Sequence, residues 1–314
     1  MPLPTDPQTL QTSRDLVSTL HQISGSHPGF RPLHAKGILL TGSFTPSSLA
    51  PTLSKGPHFT SPSTPLTIRF SSSTGLPTIP DTDPTSNPRG IAIRFQLGEH
   101  KHTDIIAHST PFFPTRTGEE FLAFLKAAMA PTEEGAKESP VQVFLKNHPA
   151  TLAFVQAPKP PPSSFAREMY WGVNAYKLIN SEGKETFVRY RIVPDLGVEH
   201  LDEAAVKEKG PEYLYEEIAA GGRLPVGFKL TAQVAEKGDT VDDCTVHWPE
   251  EREVVELGKV ELVKVVEEEE QRGEQKKIIF DPVPRVEGVE GSGDPLIELR
   301  AGVYLVSGRE RRAA

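Results

Sequence analysis

The chain has 314 residues, 37% hydrophobic and 24% charged, enough to bury a substantial core as one large domain or two ordinary ones. Its net charge of -8, with no clustered Lys and Arg, argues against nucleic acid or an anionic membrane surface as a partner. No apolar run reaches the length of a membrane span. The first residues, Met1 to Asp6, carry neither a basic region nor an apolar core, and the protein is read as cytosolic. The one cysteine, Cys244, excludes an intrachain disulfide and a cysteine-built metal cage, and is expected as a small buried hydrophobe.

In chain order, Leu10 to Ile23 has a helical pattern and ends in the loop Ser24 to Gly29, so residues 1–27 read as an N-terminal arm. Arg31 and His34 then stand three residues apart at the mouth of an apolar run, placed to line a pocket while Gly37 to Phe44 enters a sheet. The Pro/Ser/Thr-rich segment Thr45 to Ser63 is a surface connection with one helical turn. Pro65 to Ser71 alternates with period two: Leu66, Ile68 and Phe70 share one face, Thr67, Arg69 and Ser71 the other. If the second face lines a cavity, Arg69 and Ser71 point into it. Arg89 to Leu97 and Thr103 to His108 are further strands about a turn at Gly98 to His102.

Thr117 to Glu120 has the form of a capping box, and Phe121, Leu122, Phe124, Leu125 and Ala128 give its helix an apolar face. Another helix opens at Ser139-Pro140. Pro158 to Pro162 is a stiff crossing segment, followed by a hairpin from Tyr170 to Val193 about the turn at Asn180 to Gly183. Residues 202–220 read as helix, Pro225 to Val234 and Val254 to Val266 as strands, and the acidic tract Glu267 to Glu270 as a solvated loop. Asp294-Pro295 opens a last helix through Ser307. Successive strands with short connections favour an antiparallel sheet or barrel over a parallel α/β fold. Strands before and after the central helices belong to one sheet, which makes 28–314 a single domain.

Four pieces in order, His34-Ala35-Lys36-Gly37, Arg69-Phe70-Ser71, Asn87-Pro88-Arg89-Gly90 and Asp104 through Phe113, resemble the haem catalase family, most closely the short catalase-related peroxidases. The resemblance runs from about residue 28 to the C-terminus. It implies an α+β fold, an antiparallel β-barrel core with surrounding helices and a C-terminal haem-ligating helix.

It also implies haem b as cofactor, with Tyr304 as iron ligand and Arg300 one turn earlier on the same helix face, where a guanidinium favours phenolate over phenol. On the other face His34 would move a proton between the two hydroperoxide oxygens, with Ser71 fixing its imidazole. Arg31 and Arg69 would hold the propionates, with Arg311, or else Arg309, a further candidate, and Phe113 and Phe121 would pack on the haem or line its channel.

The chain departs from the family pattern at His108, where full catalases carry an asparagine amide. A histidine there serves as a neutral donor only in a suitable tautomer, and it adds a titratable group. This tilts expectation from rapid hydrogen peroxide disproportionation toward peroxidase turnover on hydrogen peroxide or organic hydroperoxides with an unidentified electron donor. A fatty-acid hydroperoxide isomerase, lyase or monooxygenase on the same haem is the alternative, a non-catalytic haem-binding protein the next. A metal site of His34, His108 and Asp104 is disfavoured because no third ligand with metal spacing joins the last two. A homo-oligomer is compatible with the sequence.

Overall fold

The computed structural model describes residues 2–220 and 224–314. Helix α1 (Pro7–Ser24) leads into β1 (Gly37–Pro46), two one-turn helices α2 (Ala50–Leu53) and α3 (Pro57–Thr60), and the strands β2 (Thr64–Ser71), β3 (Gly90–Gly98) and β4 (Lys101–His108). The middle of the chain is α4 (Gly118–Met129), α5 (Pro140–Asn147) and α6 (Pro149–Gln156), then β5 (Tyr170–Trp171), β6 (Tyr176–Ile179) and β7 (Glu185–Pro194). There follow α7 (Glu203–Lys207), α8 (Tyr213–Ala219), β8 (Val226–Val234), β9 (Val254–Val265), α9 (Glu268–Lys277), β10 (Val289–Gly291) and α10 (Pro295–Ala313).

Neighbouring strands run in the order β7-β5-β4-β3-β2-β1-β9-β8, and β8 pairs back onto β7, so eight antiparallel strands close into a barrel, with β4 meeting β5 at the single pair His108–Trp171 and β6 and β10 extending from β7. The alternation of the sequence survives into three dimensions. Leu66, Ile68 and Phe70 join Leu40, Phe44, Phe95 and Phe228 in the barrel core, whereas Arg69 and Ser71 face a cavity on its outer side. Helix α10 covers that cavity and packs against α1 and α4. A Cβ on Gly302 would come within 2.3 Å of Ser13 Oγ, so glycine is what lets α1 and α10 touch. Cys244 is fully buried among Leu16, Val173, Leu296 and Leu299, as expected of a small hydrophobe. No helix among the described residues is long and apolar enough to cross a membrane.

Several expectations needed correction. The acidic tract is not a loop: Glu268, Glu269 and Glu270 form the first turn of α9, where carboxylates complement the helix dipole. No residue of α9 is buried, so it has no apolar stripe to betray it; Gln271 and Gln275 instead hydrogen-bond the β1 backbone at Leu39 and Gly37. The helix expected over 202–220 is broken at Gly210-Pro211 into α7 and α8, and Pro149 separates α6, which the sequence reading missed, from α5. The turn before β4 is tighter than expected, pairing Gly98 with Lys101. Thr117 does cap α4 by accepting from Glu120 N–H at 3.2 Å, but the Glu120 carboxylate takes the N–H of Arg116.

Candidate active site

The cavity, about 210 Å³, lies between the outer wall of β2–β4 and one face of α10. On the barrel wall His34 sits just before β1 in the left-handed region, φ +56°, which non-glycine residues rarely adopt. The Arg69 guanidinium pins that turn by donating to the His34 and Ala35 carbonyls at 2.9 and 3.1 Å. The His34 Nδ1 meets Ser71 Oγ at 3.1 Å, the contact the family resemblance implies. A Cβ on Gly90 would lie 2.7 Å from Ser71 Oγ and 3.1 Å from the His34 ring, so glycine at the start of β3 is what admits the imidazole. Burial, then Arg69 and Arg31, push the His34 pKa down to about 4.

His108 ends β4 on the same wall. Thr110 contacts its Nδ1 with both the hydroxyl, at 2.6 Å, and the backbone N–H, at 3.3 Å. Burial first, then Arg300 and His34, hold its pKa down to about 3, so both imidazoles are neutral near pH 7.

The opposite wall is α10, started by the Asp294 cap on Leu296 N–H and by Pro295 at the first position. Arg300, Tyr304, Ser307 and Arg311 fall on its cavity face at helical spacing, covering about 16 Å of helix axis. Arg300 Nε donates to the Tyr304 hydroxyl at 3.2 Å, and its other arm donates to Asn174 Oδ1. Asn174 in turn donates to Asp294 at 2.8 Å. Burial opposes the Arg300 charge, but Tyr304 and Tyr176 outweigh it and raise its pKa.

At one end of the cavity three guanidiniums converge. Arg31 and Arg311 each donate to the Ile278 carbonyl at 3.0 Å, and Arg69 donates to Gln275 Oε1 at 2.9 Å. None of the three pairs with a carboxylate among the described residues, and Arg311 Nε, buried, has no partner there. The exposed C-terminal carbonyls of α9 supply only partial negative charge. Burial lowers the pKa of Arg31, and Arg69 and Arg311 lower it further.

The ten residues expected at the site therefore share one cavity, Phe113 and Phe121 closing its side with ring centroids 5.2 Å apart. Arg309 is exposed and lies away from it. Asp104 faces elsewhere: it binds the Arg94 guanidinium at 2.7 and 2.9 Å and accepts from Asp281 N–H, fixing the segment that carries Ile279 and Phe280 into the cavity. No cluster of metal-ligating side chains exists among the described residues. Sequence reasoning missed Asn174, Gln275 and the role of Gly90. Asn174 lies 126 residues from Arg300, and nothing local marks it.

A closed eight-stranded barrel with a C-terminal helix roofing a lateral cavity, two histidines on one wall and an Arg-Tyr pair on the other, defines a catalase-type oxidoreductase. The catalase profile matches residues 7–314, and the chain belongs to that family. It is 33% identical to a catalase-related peroxidase of Mycolicibacterium paratuberculosis over 94% of this chain and 93% of that one. A catalase-related peroxidase of Synechococcus elongatus is 30% identical over 96% and 88%. Among solved structures, catalase A of Saccharomyces cerevisiae superposes with a TM-score of 0.77 at 20% identity, over 94% of this chain and 64% of that one. A fungal catalase gives 0.76 at 23%, over 94% and 62%. The chain thus spans somewhat under two thirds of those catalases.

Proteins of this family bind haem, and the residues present fit it. A flat iron macrocycle with two carboxylates calls for an apolar slot, a side-chain donor for the metal and cations at one edge; the cavity offers Ile91, Val303 and Leu299 along its walls, the Tyr304 hydroxyl, and three guanidiniums with no carboxylate partner among the described residues.

Proposed function

We propose that the chain is a haem b peroxidase that reduces hydrogen peroxide or organic hydroperoxides to water or the alcohol at the expense of an external electron donor, with some catalase turnover. The observation that carries this reading is the pair of imidazoles, His34 and His108, facing the Arg300–Tyr304 pair across one slot. When bound, haem supplies the redox-active iron. Tyr304 would hold it from the helix side, with Arg300 donating to its hydroxyl oxygen; Arg31, Arg69 and Arg311 would receive the propionates.

His34 is the acid and base. Its depressed pKa leaves Nε2 free to take the proton from one hydroperoxide oxygen and return it to the departing one, while Ser71 keeps the ring in place. The apolar lining, with Leu16, Leu20, Leu33 and Phe113, suits an alkyl hydroperoxide better than hydrogen peroxide alone. That lining also favours a second reading, rearrangement of a fatty-acid hydroperoxide without net reduction.

An absorption spectrum of the purified protein is the first test. A haem band is expected that is lost in Tyr304→Phe, and a colourless protein that takes up no added haem sinks the proposal. In the haem-loaded protein, His34→Ala is expected to cut turnover roughly 10²- to 10⁴-fold. Product analysis by mass spectrometry separates the readings: an alcohol formed only with an electron donor supports the peroxidase, a rearranged lipid without donor the alternative.

A further inference from the structure

We propose that Thr110 fixes His108 in the neutral Nε2–H tautomer, so that His108 serves only as a hydrogen-bond donor to a ligand oxygen in the cavity and takes no part in proton transfer. The inference rests on the function proposed above for its ligand, a hydroperoxide, but the tautomer itself follows from the protein alone.

The turn after β4 is tied to the start of β3. Ser109 N–H donates to the Arg89 carbonyl at 2.8 Å, and Ser109 Oγ accepts from Arg89 N–H at 2.9 Å. That anchoring aims the backbone N–H of Thr110 at His108 Nδ1, 3.3 Å away. An amide N–H only donates, so Nδ1 must present its lone pair, and the Thr110 hydroxyl at 2.6 Å then donates to the same nitrogen. A neutral imidazole with an unprotonated Nδ1 carries its hydrogen on Nε2. Because burial and the neighbouring Arg300 and His34 disfavour the charged ring, neutral is the state present.

The Nε2 atom is buried, has no partner among the described residues, and belongs to a ring that lines the cavity. A buried N–H without an acceptor is costly, and a hydroperoxide oxygen entering the cavity relieves that cost. His34 differs in one decisive respect: its Nδ1 faces a hydroxyl, Ser71 Oγ, for which either atom can be the donor. The His34 ring can therefore gain and lose a proton at Nε2 while Ser71 turns to suit. His108 cannot, because protonating its Nδ1 would set two hydrogens against each other. The two imidazoles thus divide the work, one transferring the proton and the other holding an oxygen.

Thr110 is a positioning residue in this scheme, and two measurements test it. In protein labelled with nitrogen-15 at histidine, as the diamagnetic ferrous carbonyl complex, His108 is expected to show a protonated Nε2 and an acceptor Nδ1. Thr110→Ser should preserve that pattern, and Thr110→Val, which keeps the backbone N–H but loses the 2.6 Å hydroxyl donor, should keep Nε2–H dominant while admitting a minor Nδ1–H population. Fluoride binding to the ferric holoprotein should weaken roughly 10- to 100-fold in His108→Leu, stay near wild type in His108→Gln, and fall between in Thr110→Val. A protonated Nδ1 in the wild type, or an unchanged fluoride affinity in His108→Leu, overturns the proposal. If the protein binds no haem, the same nitrogen spectrum taken on the apoprotein still reads the tautomer, which separates failure of this inference from failure of the cofactor assignment.

Discussion

Two buried cationic groups lie within a few residues of each other, and they are built on opposite principles. At the ends of β1, β2 and β3, Lys36 contacts Asp81 at 2.9 Å and Glu212 at 2.8 Å. Arg89, fully buried beside them, donates to Ser72 Oγ and the Asp81 carbonyl, both at 2.6 Å. That group is electrically closed: each positive charge has its negative one. Arg31, Arg69 and Arg311 hydrogen-bond only carbonyls, an amide and a hydroxyl, and no carboxylate pairs with them among the described residues. A folded chain tolerates unbalanced buried charge only where something else balances it. The closed group is architecture; under the proposed function the open one would receive the two haem propionates.

The contrast breaks most visibly at Asp81. Asp81→Ala strands Lys36 and Arg89 without the carboxylate between them and is expected to destabilise the chain by ~3–5 kcal/mol, read by denaturant unfolding. A loss below about 1 kcal/mol would erase the distinction between the two groups. Gly90→Ala comes next. The added methyl must displace Ser71 Oγ or the His34 ring, at an expected ~1–3 kcal/mol, with turnover falling further than stability because the imidazole is what moves.

Arg311→Leu should do the reverse of Asp81→Ala. Apoprotein melting stays level or rises, since no anion loses its partner, while haem affinity drops roughly tenfold on titration. Equal destabilisation of apoprotein and holoprotein would show that the open group is architecture too.

The last test is acid sensitivity. His58, His34 and His108 have pKa values held down to about 3, 4 and 3, mainly by burial. Below the unfolded value of about 6.5 the unfolded chain takes up protons that the folded chain refuses, so stability is complete above that pH and declines as pH falls toward 3. His58 packs on Phe59 and Phe95 away from the cavity. His58→Gln should therefore lower proton uptake on unfolding at pH 5 by about one, with the turnover profile unmoved.

The open side of this contrast was partly legible in the sequence. Period-two alternation put Arg69 and Ser71 on one face of β2, helical spacing put Arg300, Tyr304 and Arg311 on one face of α10, and both faces line the cavity. Patterns that repeat with the period of an element survive folding. What holds those residues was illegible, because it depends on pairings across the chain. Gln275 reaches Arg69 from 206 residues away, on a helix whose composition reads as a loop. Asn174 sits in an irregular link between β5 and β6, where no periodicity operates. The closed group was equally hidden: Lys36 and Asp81 lie 45 residues apart in turn-rich sequence.

The left-handed backbone at His34 has a longer reach. An imidazole there costs about 1–2 kcal/mol that glycine or asparagine would not. The polypeptide thus keeps the side chain proposed to move the proton against its own conformational preference. A screen for heat resistance alone should enrich His34→Gly and His34→Asn, trading chemistry for durability, and a lineage released from the need to consume peroxides would be expected to drift the same way.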